Sequence, residues 1–310
     1  MQEIKYSFVL PAYKAHFFKE AIDSILAQTY TDFELIIVND ASPEDLYSIV
    51  KNYDDSRIRY YVNEQNIGGK DLVAQWNHCL EYATGEYIIL ASDDDVYFPQ
   101  YLEKMDALVQ KYPDVNVFRP RVQYIDKDNN IKSICGCIAE KVSSFEYWCH
   151  WGVVGSSIGH VIFKREELCK KGGFISFPMG WGADDASIIM MGDNGICFES
   201  DILYSFRMSG ENISSKSDDY RTLMKKIEAR KLFYNWLKDY IDNTPAKTYI
   251  ESLWRDEAKQ HIDNIFQGIT VCLMSETTTF SMLKSIPLLL KLEYISNMVV
   301  LKRALLKIIK

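Results

Sequence analysis

The 310-residue chain lacks paired CxxC spacings: its seven cysteines are odd in number and scattered. That pattern excludes a disulfide framework and a cysteine-based zinc site. It leaves Cys135-Gly136-Cys137 as reduced strand thiols, as expected in a reducing cytoplasm. Neither GxGxxG nor GxxxxGK[ST] occurs, which disfavours a dinucleotide-binding turn and a P-loop ATPase. Long apolar runs are missing too. The longest uncharged stretch, Tyr147 to Phe163, is broken by glycines and histidines and makes a poor membrane span. The opening MQEIKYSFVLPAY has no apolar core behind a basic stretch, so no secretion signal is expected and the protein is placed in the cytoplasm. Positive charge is scarce: a net charge of −8 argues against a nucleic-acid binder. Internal repeats and low-complexity linkers are absent as well.

What remains is an ordinary globular composition, 47% hydrophobic and 25% charged. From residue 5, short β-branched or aromatic runs alternate with longer helical periods, the signature of a parallel sheet flanked by helices. The expected strands are Tyr6–Pro11, Phe33–Asn39, Ile58–Val62 and Glu86–Ala91, with helices at about 17–28, 43–53, 70–83 and 99–112. After residue 113 the alternation breaks. VNVFRPRVQYID, a turn at residues 127–130 and IKSICGCIAE read as a hairpin, which makes the second half of the sheet mixed. From about Asp218 the pattern is helical to the end.

Four segments carry chemistry. Ser92-Asp93-Asp94-Asp95 directly follows the strand EYIILA, at the carboxyl end of a parallel sheet where open α/β sheets bind ligands. Three adjacent carboxylates repel one another unless a cation or strong solvation offsets them, and Mg2+ or Mn2+ bridging a diphosphate meets that need. A solvated acidic turn beside a helix N-terminus is the simpler alternative. Asn39-Asp40-Ala41-Ser42-Pro43 ends the strand FELIIV at the same edge, where Asp40 can either accept from a nucleobase imide or cap the helix after Pro43. Asn66-Ile67-Gly68-Gly69-Lys70 is a glycine-rich turn into a helix that admits a phosphate or base, with Lys70 supplying charge. Gly180-Trp181-Gly182-Ala183-Asp184-Asp185 sets two acids at a helix start, behind a Trp held between glycines.

Together SFVLPAYK, AIDSILAQTYTDFELIIVNDAS, NIGGKDLVAQWNHCLEYATGEYIILASDDDVYFP and GWGADDAS resemble the family 2 glycosyltransferases of GT-A fold, of the bacterial glycan-biosynthesis type, over roughly residues 5–210. The resemblance implies a Rossmann-like GT-A domain over residues 1–215 with a mixed central sheet, and the helical pattern that follows it is expected to form a C-terminal extension over 216–310. It implies an inverting, metal-dependent transfer of a hexose or N-acetylhexosamine from a nucleotide sugar, UDP-linked, to a hydroxyl of a glycan or lipid-linked acceptor. By this resemblance Pro11, Ala12, Tyr13 and Asp40 hold the nucleobase, and Lys70 approaches the base or phosphates. Asp93 takes the ribose and Asp94 the Mn2+ or Mg2+, with Asp95 sharing metal or water contacts. Asp185 is the catalytic base beside Asp184, and Trp181 offers an apolar face to an acceptor sugar.

Departures from the family pattern are local. Asn39-Asp40-Ala41-Ser42 stands for the frequent Asp-Asp-Gly-Ser, and Lys14 replaces a frequent Asn. Ser209 stands where many relatives carry a metal-ligating His two residues after an Arg, and His160 is the nearest substitute unless it is a structural core histidine. That gap keeps open a catalytically inactive binding scaffold. A sugar-phosphate nucleotidylyltransferase would need a glycine-rich N-terminal signature that VLPAYKAHF does not provide. Residues 281–310 carry six Lys/Arg against one Glu among apolar stripes, so this tail is expected either to pack on the helical unit or to lie against a partner helix or the inner face of a membrane.

Overall fold

The computed structural model of the protein describes residues 4–155, 157–210 and 220–309. The N-terminal half alternates as the sequence predicts: β1 (Tyr6–Ala12), α1 (Phe18–Leu26), β2 (Phe33–Asn39), α2 (Tyr47–Val50), β3 (Ile58–Val62), α3 (Leu72–Leu80) and β4 (Tyr87–Leu90). β1 lies between β2 and β4, and β2 pairs β3, all in parallel. Period-two alternation sends Val9, Ile36 and Val38 into one core and Phe8, Leu10, Leu35 and Ile37 into the other, so both faces of the sheet are covered. β3 is an edge strand: Ile58 to Tyr61 are only partly buried and Val62 is exposed.

The second helix is much shorter than its expected span of 43–53. Residues 42–46 are drawn instead into loop bonds: Glu44 accepts from the Ala15 amide at 2.8 Å, and Asp45 accepts from the Ser48 amide at 3.0 Å. This segment therefore braces the loop after β1 rather than extending α2.

Beyond β4 come β5 (Val96–Tyr97), α4 (Tyr101–Lys111), β6 (Val117–Asp126), β7 (Ile131–Ile134) and β8 (Lys141–Val142). Then follow α5 (Ser144–Cys149), α6 (Trp151–Val154), β9 (Ile162–Lys164), α7 (Arg165–Lys170), α8 (Ala183–Met191) and β10 (Ile196–Met208). The predicted hairpin forms, with β6 and β7 antiparallel. Strand order is β3-β2-β1-β4-β9-β6-β10-β5, and antiparallel β9 makes the sheet mixed.

Four helices follow: α9 (Tyr220–Asn243), α10 (Tyr249–Glu276), α11 (Thr279–Leu289) and α12 (Asn297–Ile309). Thr248 caps α10, accepting from the Glu251 amide at 3.1 Å, while the Glu251 carboxylate accepts from the Lys247 amide just before the cap. Phe233 of α9 and Phe266 of α10 join Trp148 of α5 in the same core as Val9 and Ile36, so the helical segment covers one face of the sheet. Burying three such aromatics contributes several kcal/mol, on the order of 2 per side chain. None of the described helices is long and apolar enough to cross a membrane, and all seven thiols are free of disulfides.

Candidate active site

The strands β1, β2 and β4 end on one edge, and a cavity of about 620 Å3 opens there. Pro11, Ala12, Tyr13, Asp40, Asp93, Asp94, Asp95, Trp181, Asp184 and Asp185 all line it. Segments distant in sequence thus meet on one surface. Lys70 is exposed, with Nζ 3.3 Å from Gln65 Oε1, and is not part of that lining.

Each acid of the triplet has a different neighbourhood. Asp93 Oδ2 accepts from the Tyr13 and Lys14 amides, both at 2.9 Å, and so ties the end of β1 to the end of β4. Asp95 is fully buried; its carboxylate accepts from the Tyr204 hydroxyl and, at 2.7 Å, from the Arg207 amide. Asp94 faces the cavity with 7% exposure, 4.0 Å from Lys14 Nζ. Burial, then the charges of Asp95 and Asp93, push the Asp94 carboxyl well above the usual carboxylate range, against the opposing pull of Lys14 and Arg207.

Arg207 is the clamp under this loop. Its Nε donates to the Asp94 carbonyl at 2.7 Å, one terminal nitrogen donates to Asn129 Oδ1 at 2.6 Å, and the other pairs with Glu20 Oε2 at 2.8 Å. Its guanidinium also lies 4.2 Å from the Phe17 ring centroid. Because it is fully buried, its fork is held by partners from α1, the acidic loop and the β6–β7 turn at once.

Asp40 serves a backbone role that neither sequence reading contained. Its carboxylate accepts from the Ile67 amide at 2.8 Å, the Gly68 amide at 2.7 Å and Asn63 Nδ2 at 2.8 Å. A Cβ on Gly68 would sit 3.0 Å from Asp40 Oδ2, so a glycine there lets the loop close down on the carboxylate.

At the Trp181 loop, Gly182 caps α8 with φ +86°, and a Cβ there would lie 2.7 Å from Phe233 Cδ1. Asp184 and Asp185 therefore enter the first turn of α8, where the helix dipole favours negative charge. Asp185 is 2% exposed, and its Oδ2 accepts from the Trp151 indole N–H at 2.8 Å. Trp151 and Arg230 line the same cavity, and no motif in the sequence marks either of them. Only packing brings α6 and α9 to this edge.

His160 is fully buried, and neither of its ring nitrogens has a hydrogen-bond partner among the described residues. Burial drives its pKa far down, so the ring is neutral, and it packs 5.3 Å from Tyr204 outside the cavity lining. Ser209 follows the end of β10 directly. Among the described residues no three His, Cys, Asp or Glu side chains converge as a metal cage. A hard cation needs less: Mg2+ and its like are commonly held by one or two carboxylates with phosphate oxygens and water completing the shell, and the cavity-facing Asp94 suits that donor set.

Residues 7–163 match the model of glycosyl transferase family 2. The chain belongs to glycosyl transferase family 2. Similar curated members include the putative glycosyltransferase EpsE of Bacillus subtilis, 43% identical over 96 residues, which are 30% of this chain and 34% of EpsE. Another is the Escherichia coli UDP-Glc:alpha-D-GlcNAc-diphosphoundecaprenol beta-1,3-glucosyltransferase WfgD, 31% identical over 112 residues, 36% of this chain and 43% of WfgD. The chain thus aligns with well under half the length of these relatives. The GT-A fold is shared with solved structures. The S. aureus TarS complex with UDP-GlcNAc superposes with a TM-score of 0.59 at 15% identity, over 98% of this chain and 89% of that one. The Pyrobaculum calidifontis mannosyltransferase PcManGT with GDP-Man and Mn2+ gives 0.56 at 15% identity, over 98% and 87%.

Proposed function

We propose that this family 2 member is an inverting glycosyltransferase that moves a hexose or N-acetylhexosamine from a UDP-sugar to a hydroxyl of a glycan or lipid-linked acceptor. The observation that carries the reading is the convergence of Asp94 and Asp185, 91 positions apart in sequence, on one cavity with the end of β1 and Asp40. Pro11, Ala12, Tyr13 and Asp40 hold the nucleobase, and Asp93 meets the ribose from the loop it ties together. Asp94 holds Mn2+ or Mg2+, which when bound neutralises the charge developing on the leaving diphosphate. Asp95 and Arg207 keep that loop in place. Asp185, oriented by Trp151, takes the proton of the acceptor hydroxyl as it attacks the anomeric carbon from the side opposite the diphosphate; one displacement inverts that carbon. Asp184 orients the loop or an acceptor hydroxyl, and Lys70 meets phosphates only on moving from Gln65. WfgD carries a lipid-diphosphate acceptor in its name, and TarS and PcManGT were solved with nucleotide sugars. The test is a panel of UDP- and GDP-sugars with Mn2+, read as protection against thermal unfolding and then as transfer to a diphosphate-linked acceptor sugar. Absence of both protection and transfer across the panel overturns the reading.

A cytoplasmic, peripheral position at the inner face of a membrane fits the same proposal. On α12 only Val300 and Ala304 are buried, while Met298, Leu301, Leu305 and Ile309 are exposed beside Lys302 and Arg303. An apolar ridge with flanking cations matches an anionic lipid surface. Flotation with anionic vesicles checks this, and unchanged partitioning of a Leu301→Glu, Leu305→Glu variant sinks it.

A further inference from the structure

Lys226 and Arg230 lie one turn apart on α9 and so share a face of that helix. The Lys226 ammonium is 4.3 Å and the Arg230 guanidinium 5.3 Å from the Trp181 ring centroid. Both are buried, at 1% and 9% exposure. Arg230 lines the cavity with Trp151, Asp184 and Asp185, and its Nε has no hydrogen-bond partner among the described residues. Burying a guanidinium is unfavourable unless its fork of donors is matched, and the Asp185 and Asp184 charges offset that burial only in part: the Arg230 pKa falls to about 10, so it remains a cation at neutral pH. A cavity that keeps such a group aimed into it is built for an anion, and a planar fork matches a phosphate through two parallel bonds.

The position of Arg230 selects which phosphate. In a single displacement the acceptor hydroxyl and its base stand on one side of the anomeric carbon and the leaving diphosphate on the other. Arg230 lies 5.3 Å from the Trp181 ring, in the loop that runs into Asp184 and Asp185, the base side. We infer that Arg230, backed by Lys226, forms an anion subsite that grips a phosphate carried by the acceptor next to its reacting hydroxyl. This rests on the proposed assignment of Asp185 to the acceptor side. The phosphate belongs either to a lipid-linked sugar diphosphate or to a polyol phosphate chain. In both cases, the acceptor's charge offsets that of Arg230 as it enters, and Asp185 is then faced by a neutralised pair rather than a bare cation.

The experiment measures acceptor binding without catalysis. The full chain is saturated with Mn2+ and whichever of UDP and GDP it binds more tightly. Calorimetry then follows undecyl-diphospho-N-acetylglucosamine, a glycerol phosphate tetramer and the phosphate-free undecyl N-acetylglucosaminide. At least one phosphate-bearing probe is expected to bind roughly tenfold or more tighter than the phosphate-free one, and which one identifies the source. Arg230→Met is expected to erase that preference and Arg230→Lys to keep part of it, while nucleotide affinity stays within about twofold. Equal binding of all three probes to the wild type, or a preference that survives Arg230→Met, overturns the inference. So does a loss of nucleotide affinity in step with acceptor affinity in the folded Arg230→Lys variant, which would move Arg230 to the donor diphosphate. Nucleotide binding that fails in the wild type sinks the donor reading instead, and is read separately.

Discussion

The Trp151 indole N–H donates to Oδ2 of Asp185 at 2.8 Å, inside a cavity wall where Asp185 is almost fully buried. A buried carboxylate held by a neutral donor keeps a fixed direction, which is what a base aimed at one hydroxyl requires. Asp185→Asn is expected to leave nucleotide and Mn2+ affinity near wild type while transfer falls by roughly 10²-fold or more. Trp151→Phe is expected to lower kcat by about tenfold with a smaller change in donor KM, because the carboxylate survives without its guide. Steady-state kinetics of both variants beside calorimetric donor affinity is the check; near wild-type turnover in Asp185→Asn places the base elsewhere.

The acidic loop gives a pH signature. Burial and its like-charged neighbours raise the Asp94 carboxyl above its unfolded value. Ionising it therefore works against the folded state: the penalty is absent below the unfolded pKa of about 4, grows as pH rises, and is complete above the folded pKa. A bound cation removes the penalty. The rise in Tm produced by Mn2+ is thus expected to be larger at about pH 8 than at about pH 5, and to become nearly flat with pH in Asp94→Asn. Scanning calorimetry at fixed Mn2+ measures it, and an equal increment at both pH values in the wild type refutes it.

Arg207 connects α1, the acidic loop and the β6–β7 turn through three different nitrogens. Arg207→Met is expected to destabilise by about 3 kcal/mol and to weaken Mn2+ binding, because the loop carrying Asp94 loses its anchor. Arg207→Lys should recover little, since one ammonium cannot reach all three acceptors. Glu20→Gln should cost under about 1 kcal/mol, as Glu20 is itself 39% exposed. Urea titrations of the three variants order these effects, and an Arg207→Lys protein as stable as wild type contradicts the clamp.

Gly182 combines φ +86° with an approach to Phe233 that a Cβ would violate. Gly182→Ala is expected to cost about 2 kcal/mol and to depress transfer more than donor binding, because the strain falls on the Asp184–Asp185 turn. Adding Phe233→Leu should relieve the steric part and leave the backbone part. Full recovery of Tm in the double variant would show that packing alone explains the glycine.

Much of the fold around the candidate site was legible in the chain. Apolar runs flanked by helical periods placed β1, β2 and β4 within a residue or two, and the residues that end parallel strands must gather at one edge. Hence Asp40 and the acidic triplet come together at one cavity, as their positions after β2 and β4 predict. The 43–53 helix was overestimated because periodicity does not register loop bonds such as Glu44 to Ala15. In the same way the three acids read alike in sequence and all line the cavity, yet one accepts from two loop amides, one is locked beneath Tyr204 and one lies 4.0 Å from the Lys14 ammonium.

By itself, then, the sequence determined the α/β class and the strand edge that carries the candidate site, which follow from local period and from the positions of residues at strand ends, while the family rests on the likeness of its motifs. Tertiary structure alone decided the different partners of Asp93, Asp94 and Asp95, the bond from Trp151 to Asp185, and the arrival of Arg230 from α9 in the same cavity. The reason is physical: local patterns record which face of an element is apolar, whereas partners 34 and 45 residues from Asp185 meet it only when helices pack over the sheet.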